Sequence, residues 1–369
     1  MLALAALSAR APAEAAARDG LRSVALDVFG DADTRQFAAE WHAIGSVATM
    51  RIDDELFLAA LDKLARRGDV RAWSAGSGFD GRVDLLEQGA ARLPLLGSAP
   101  DDVRRVRDPR EFFGVLDAHG IGFPPIAFEP PGRPAGWLVK HAGGCGGWQV
   151  RRAGVDEAPA PGRYWQRERP GAAMSASFVG NGRDAVLLGV NRQGSSAIGK
   201  RPFVFTRIAG PVAVSERARR ELTAIVRLLA GVFRVRGLAS LDVLLDGDTL
   251  EVLELNPRLP ASLALYPRAF SAHLLACERA ELPAAPAGDG RVRGSEIVFA
   301  ARPVHVDAAL AAALAAVPGA RDLPRAGTRI GAGEPACSVC AEAGGEATMN
   351  DRLAARRAAV AALLETSHE

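Results

Sequence analysis

The chain of 369 residues is 49% apolar, with 45 basic against 43 acidic side chains and a net charge of +2. That balance excludes the concentrated basic surface that nucleic-acid binding needs, and no run of about eighteen apolar residues offers a membrane span. The length leaves room for two or three domains and a sizeable core.

Residues 1–9 are apolar but short and lack a basic start, so no signal peptide is expected and the chain reads as cytoplasmic. Cys145 and Cys277 stand alone, and Cys337 and Cys340 form a single CxxC without a second pair. That is a weak zinc signal and reads better as two small residues in a strand. Lysines are confined to Lys63, Lys140 and Lys200 in an otherwise arginine-based chain.

In chain order, residues 21–29 predict a buried strand ended by Gly30-Asp31, and 34–44 a helix. Helical spacing recurs over 56–67, and a short strand at 70–73 precedes the Gly-rich loop 75–81. That loop has neither G-x-G-x-x-G nor a Walker lysine, so it reads as a turn. Residues 1–103 are expected to form an α/β domain.

Asp108 and Pro109 start a helix over 108–120. Strands follow at 126–129 and 137–140, the second ending at Lys140 and running into the Gly-rich loop 141–148. Such a loop exposes backbone N–H groups to phosphate oxygens with no Cβ in the way. Residues 174–179 and 185–190 read as paired strands around an Asn181-Gly182 turn. The polar stretch 193–203, with Lys200, reads as a loop. Residues 215–233 carry the strongest amphipathic helix, with Leu222, Ile225, Val226 and Leu229 on one face.

Residues 238–263 organise the rest: two apolar strands joined at Asp246-Gly247-Asp248. Glu254 and Asn256 are two apart and share a face. With a loop at 247–249, Asp242 lies opposite Glu254. Oxygen donors gathered this way suit Mg²⁺ that also holds phosphate, and Arg258 brings a guanidinium fork beside them. The other reading is an ordinary hairpin with solvated acids. Glu254, flanked by Val252, Leu253 and Leu255, argues against it, because a buried carboxylate needs a partner. After residues 261–282, mostly helical, a Pro/Ala/Gly linker at 282–290 leads to strands at 294–300 and 337–341 and a closing helix at 350–365.

Asp242, then Glu254-x-Asn256-Pro257-Arg258, preceded by Lys140 and its glycine loop, resembles the ATP-grasp superfamily of ATP-dependent carboxylate–amine ligases. The resemblance implies an α/β and α+β fold: an N-terminal pre-ATP-grasp domain over 1–103, the ATP-grasp domain over 104–285, and a small C-terminal β-containing unit over 286–369. It further implies ATP between two α+β subdomains, with Mg²⁺ or Mn²⁺ held by Asp242, Glu254 and Asn256. Lys140, Gly143, Gly144, Gly146 and Gly147 would meet the nucleotide, and the 164–171 segment with Gln166 and Arg167 is similar to the hinge strand whose backbone meets adenine, with Arg167 standing where the family usually has an acid. The family's usual upstream lysine is missing, and Arg107 is the nearest substitute, unless it belongs to a solvated charge run. Arg258 is the candidate for holding phosphate or acylphosphate, with Lys200 and Arg207 behind it.

The implied reaction passes through an acylphosphate to an amide, with small-molecule substrates and no protein nucleophile; a homodimer is compatible. The motif dress is similar to ligases of one-carbon metabolism, including the type joining glutamate to tyramine for a methanofuran-like coenzyme. Two alternatives stay open: bicarbonate activation as in biotin carboxylases, and a non-catalytic ATP-binding relative.

Overall fold

A computed structural model describes residues 1–285 and 288–366. The chain opens with a parallel four-stranded sheet in the spatial order Glu40–Ala43, Ser23–Asp27, Leu2–Ala5, Ala72–Ala75. Leu2–Ala5 is buried at every position and sits between Ser23–Asp27 and Ala72–Ala75. Its Leu-Ala alternation carries no β-branched residue, so propensity does not announce it; pairing on both sides imposes it. The helix expected over 34–44 is shorter, Ala32–Phe37, because Glu40–Ala43 pairs as an edge strand. Asp54–Arg67 is helical as its spacing requires, capped by the Asp53 carboxylate on the Leu56 amide and ended by Gly68 at φ 74°. Phe57, Trp73 and Phe79 pack edge to face at the centre of this layer.

The second body is an antiparallel eight-stranded sheet. Its order is Thr249–Asn256, Arg236–Asp246, Ala172–Asn181, Ala185–Ile198, Arg201–Gly210, Val292–Phe299, Pro335–Ala343, Ala320–Arg321. Two features depart from expectation. The polar stretch 193–203 is not a loop but the arms of a hairpin, since Ala185–Ile198 and Arg201–Gly210 pair with bulges. The C-terminal strands add to this same sheet rather than building one of their own. The helix Glu216–Val232, capped by the Ser215 hydroxyl on the Ala218 amide, covers one part of the sheet; Ala269–Arg279 and Glu346–Thr366 cover others.

A small sheet, in the order Ile126–Ala127, Arg163–Arg167, Trp137–His141, Arg151–Arg152, stands beside the large one. Pro109–Ala118 packs Phe112, Phe113 and Leu116 into the shared core. The carboxyl ends of the parallel strands, the small sheet and the open face of the large sheet enclose one cavity of about 970 Å³.

Candidate active site

Asp242 and Glu254 are cross-strand neighbours, as the sequence predicts, but the register gets there differently. Asp246 pairs with Thr249 around a two-residue turn, with Gly247 at φ 58°. A bulge at Leu253 then inserts one residue, so that Val243 faces Val252 while Asp242 faces Glu254. The bulge re-aims Glu254 onto the face of Asp242 and Asn256. Gln193, from the unforeseen hairpin, donates to Asp242 Oδ1 at 3.1 Å.

Asn256 joins these acids to a second cluster. Its Nδ2 donates to Asp242 Oδ2 at 3.2 Å and to Glu254 Oε1 at 3.3 Å. Its Oδ1 accepts from Arg107 Nη2 at 3.2 Å and Arg258 Nη2 at 3.4 Å. Both guanidiniums converge on Asp80 Oδ1, Arg258 through Nε at 2.7 Å and Arg107 through Nη2. Burial would raise the Asp80 pKa, but Arg258 and Arg107 outweigh it and hold the carboxyl at about 2. Sequence reading missed Asp80 because it sits in the loop taken for a plain turn. The available signal was an acid directly after the buried Phe79.

Lys140 Nζ donates to Gln166 Oε1 at 2.9 Å. Burial lowers its pKa, yet Tyr164, Glu254 and Asp242 together leave it raised, so the ammonium persists within the cavity wall. Gln166 Nε2 is buried and without a protein partner, a donor that a ligand in the cavity would satisfy.

The glycine loop is held at both ends. Gly146 accepts from the Phe205 amide at 2.9 Å, and a Cβ on Gly147, whose φ is 73°, would meet the Phe203 carbonyl at 1.9 Å. A Cβ on Gly81 would meet Gly143 Cα at 2.6 Å, so the two Gly-rich loops touch backbone to backbone.

The expected set therefore assembles in part. Lys140, Gly144, Gly146, Gly147, Gln166 and Arg167 line the cavity, as do Asp242, Glu254, Asn256 and Arg258. Gly143 and Arg107 are not on its wall; Gly143 packs on Gly81, and Arg107 sits behind with Asp80. Lys200 is exposed at the hairpin tip, outside the cavity. Arg207 bonds Asn350 and lies 3.9 Å from Glu296, on the side covered by the C-terminal helix. The amides of Arg167 and Glu168 are bonded to the Pro125 and Gly136 carbonyls, each at 2.8 Å, so neither is free to meet adenine.

Whether these residues suit a divalent cation is a matter of donor chemistry. Among the described residues no three His, Cys, Asp or Glu side chains are grouped so as to hold a metal ion by themselves. Two carboxylates do pair, and enclosure by protein followed by repulsion from Glu254 pushes the half-buried Asp242 up to about 8. Such a pair lacks a cation, and Mg²⁺ completes its shell with phosphate and water oxygens. Asp242 and Glu254 fit that role. Asn256 differs from expectation: it presents its amino group to the acids, and turning its carbonyl toward them would forfeit the bonds from Arg107 and Arg258.

The sequence matches the ATP-grasp domain family over residues 106–262. No curated protein matches it. The fold is similar to the biotin carboxylase–β-γ-ATP complex of Campylobacter jejuni, with TM-score 0.72, 12% identity, and 99% of this chain and 95% of that one covered. It is similar to N5-carboxyaminoimidazole ribonucleotide synthetase of Thermus thermophilus, with TM-score 0.67, 17% identity, and 98% of each chain covered. L-amino acid ligase of Bacillus licheniformis matches at TM-score 0.67 and 13% identity over 96% of each chain. With the lysine, the glycine loop and the acid hairpin on one cavity, residues 106–262 match an ATP-grasp domain and the chain has the ATP-grasp fold.

Proposed function

We propose that the protein is an ATP-dependent ligase that activates a carboxylate and joins it to an amine. The observation that carries this is one cavity wall holding Lys140, the glycine loop, the Asp242–Glu254 pair and Arg258. A substrate carboxylate oxygen attacks the γ-phosphorus of ATP, the bond to the β–γ bridging oxygen breaks, and ADP leaves. The amine nitrogen then attacks the acyl carbon of the acylphosphate, phosphate departs, and the nitrogen loses a proton to give the amide. Lys140 and the amides of Gly146 and Gly147 position phosphate oxygens. Arg258, oriented by Asp80, faces the transferring group. Mg²⁺ on Asp242 and Glu254 would neutralise charge on the β- and γ-phosphates.

The names of the similar structures support carboxylate activation as the shared theme. The finer reading, glutamate–tyramine ligation for a methanofuran-like coenzyme in the cytoplasm, rests on the motif resemblance alone. The test is phosphate release from MgATP against a panel of carboxylates and amines that includes this pair, beside Glu254→Ala. Turnover needing one acid and one amine, lost in the variant, supports the ligase. Turnover with bicarbonate and no amine would replace it with carboxylation. MgATP binding without release across the panel would favour a binding protein, and failure to bind MgATP would remove the reading.

A further inference from the structure

We infer that the part of the cavity lined by Asp31 recognises a protonated primary amine, with Asp31 as its anionic anchor. The inference rests on the ligase reading and names the chemical class of one substrate, whose ammonium gives a proton to solvent before its nitrogen attacks the acyl carbon. Asp31 follows the strand Ser23–Asp27, at the carboxyl edge where parallel sheets receive ligands. It is only 8% exposed, yet lines the cavity. It precedes the helix Ala32–Phe37, but its carboxylate makes no capping bond.

The acids around it are all engaged. Asp27 accepts from the Ala9 and Gly30 amides and from Trp41 Nε1. Asp33 accepts from the amides of Asp322 and Leu323. Asp322 accepts from Ser8 Oγ and from Arg10, which also bonds Glu14. Among the described residues, Asp31 has no such donor.

The groups facing Asp31 are Arg10 from the first helix, Asp27 and Asp33 on either side of it, and Asp322 and Cys337 from the C-terminal segment. Burial first, then Asp322, Asp27 and Asp33, push its carboxyl up to about 9. This field repels an anion and gives an alcohol no charge to offset. A cation supplies what is missing. A metal ion is the poorer occupant, because the neighbouring carboxylates already accept hydrogen bonds and, among the described residues, no three acids, thiols or imidazoles are grouped so as to hold one. A primary ammonium brings three donors on one charge, and Phe29, Val47 and Met50 on the same cavity offer apolar surface for a carbon body.

The probes are n-hexylamine, 1-hexanol and hexanoate, titrated calorimetrically into wild type and Asp31→Asn in two buffers of different ionisation heat. Wild type should saturate with hexylamine below about 100 mM, at least about ten-fold tighter than with hexanol, and should not bind hexanoate. Amine binding should release a proton and tighten from about pH 7 to about pH 9, as Asp31 ionises. Asp31→Asn should lose both the preference and the proton release. No saturable amine binding, equal binding of the alcohol, or a preference that survives in Asp31→Asn would each overturn the assignment. MgATP titrated separately into both proteins reports folding and the nucleotide site. If MgATP fails to bind wild type, the ligase reading falls; if it binds and the amine preference is absent, only the present inference falls.

Discussion

Replacing Asp80 with Asn keeps the shape of a side chain that is 1% exposed and removes the charge that two guanidiniums share. Asp80 Oδ1 accepts from Arg258 and Arg107, and Oδ2 from the Gly78 amide at 3.3 Å. Asparagine mimics the protonated acid, so linkage sets a lower bound on the loss. A carboxyl moved from 3.8 to about 2 contributes roughly 2 kcal/mol. Removing one partner of a buried ion pair costs about 3–5 kcal/mol, because the other charge stays buried. Asp80→Asn should thus lose about 2–5 kcal/mol, a large share of the roughly 5–15 kcal/mol of a typical domain. Because the folded pKa is depressed, this stability is present above 3.8 and is lost as pH falls toward 2. Urea unfolding of both proteins from about pH 7 to pH 2 should therefore show the gap closing by roughly 2 kcal/mol below about pH 4. A gap under about 0.5 kcal/mol at pH 7, or one that ignores pH, would refute the shared-carboxylate account.

Lys140→Met removes an ammonium held 2.9 Å from Gln166 Oε1, and MgATP affinity by calorimetry should fall roughly 10- to 100-fold; unchanged affinity would take Lys140 out of the nucleotide site. Gly147→Ala forces a Cβ onto the Phe203 carbonyl, so limited proteolysis within residues 141–150 should accelerate and MgATP affinity drop. Gly144→Ala, whose Cβ meets the movable Gln149 side chain and the His141 carbonyl each at 3.0 Å rather than a carbonyl at 1.9 Å, should be milder, and the reverse order would contradict the packing. His273 is buried with its Nδ1 accepting from the Leu238 amide at 2.9 Å, and burial lowers its pKa from 6.5 to about 4. The unfolded chain takes the proton first, so this stability is full above 6.5 and lost as pH falls toward 4. The swing is roughly 3 kcal/mol, and it should be absent in His273→Gln.

The acid hairpin was legible because acids among apolar strand residues demand a partner, and the pairing of Asp242 with Glu254 holds. The route to it was not legible: the bulge at Leu253 substitutes for the longer turn that simple alternation suggests. Residues 193–198 were opaque for a related reason. Gln193, Gly194 and Ser195 line the ligand cavity rather than the core, so their strand shows no apolar alternation. Lys200 and Arg207 looked chemically apt, but residue type decides neither that Lys200 falls in the turn nor which face of its strand Arg207 takes. Asp80 and Asp31 were hidden because their importance lies in contacts separated by long stretches of chain, Asp80 with Arg258 and Asp31 with Asp322.

The continuity of the large sheet has a consequence for how the protein is made. During synthesis, Arg201–Gly210 emerges with one side unpaired, and its partner Val292–Phe299 follows only after some eighty more residues. Until then the nascent chain displays an open edge over residues 207–210, the kind of template that recruits other chains. The pocket wall also draws on residues from Ala6 to Ser338, so no partial product can close around a nucleotide. Ligand rescue should therefore act only after release from the ribosome, and interrupted translation should yield aggregates rather than a smaller folded protein.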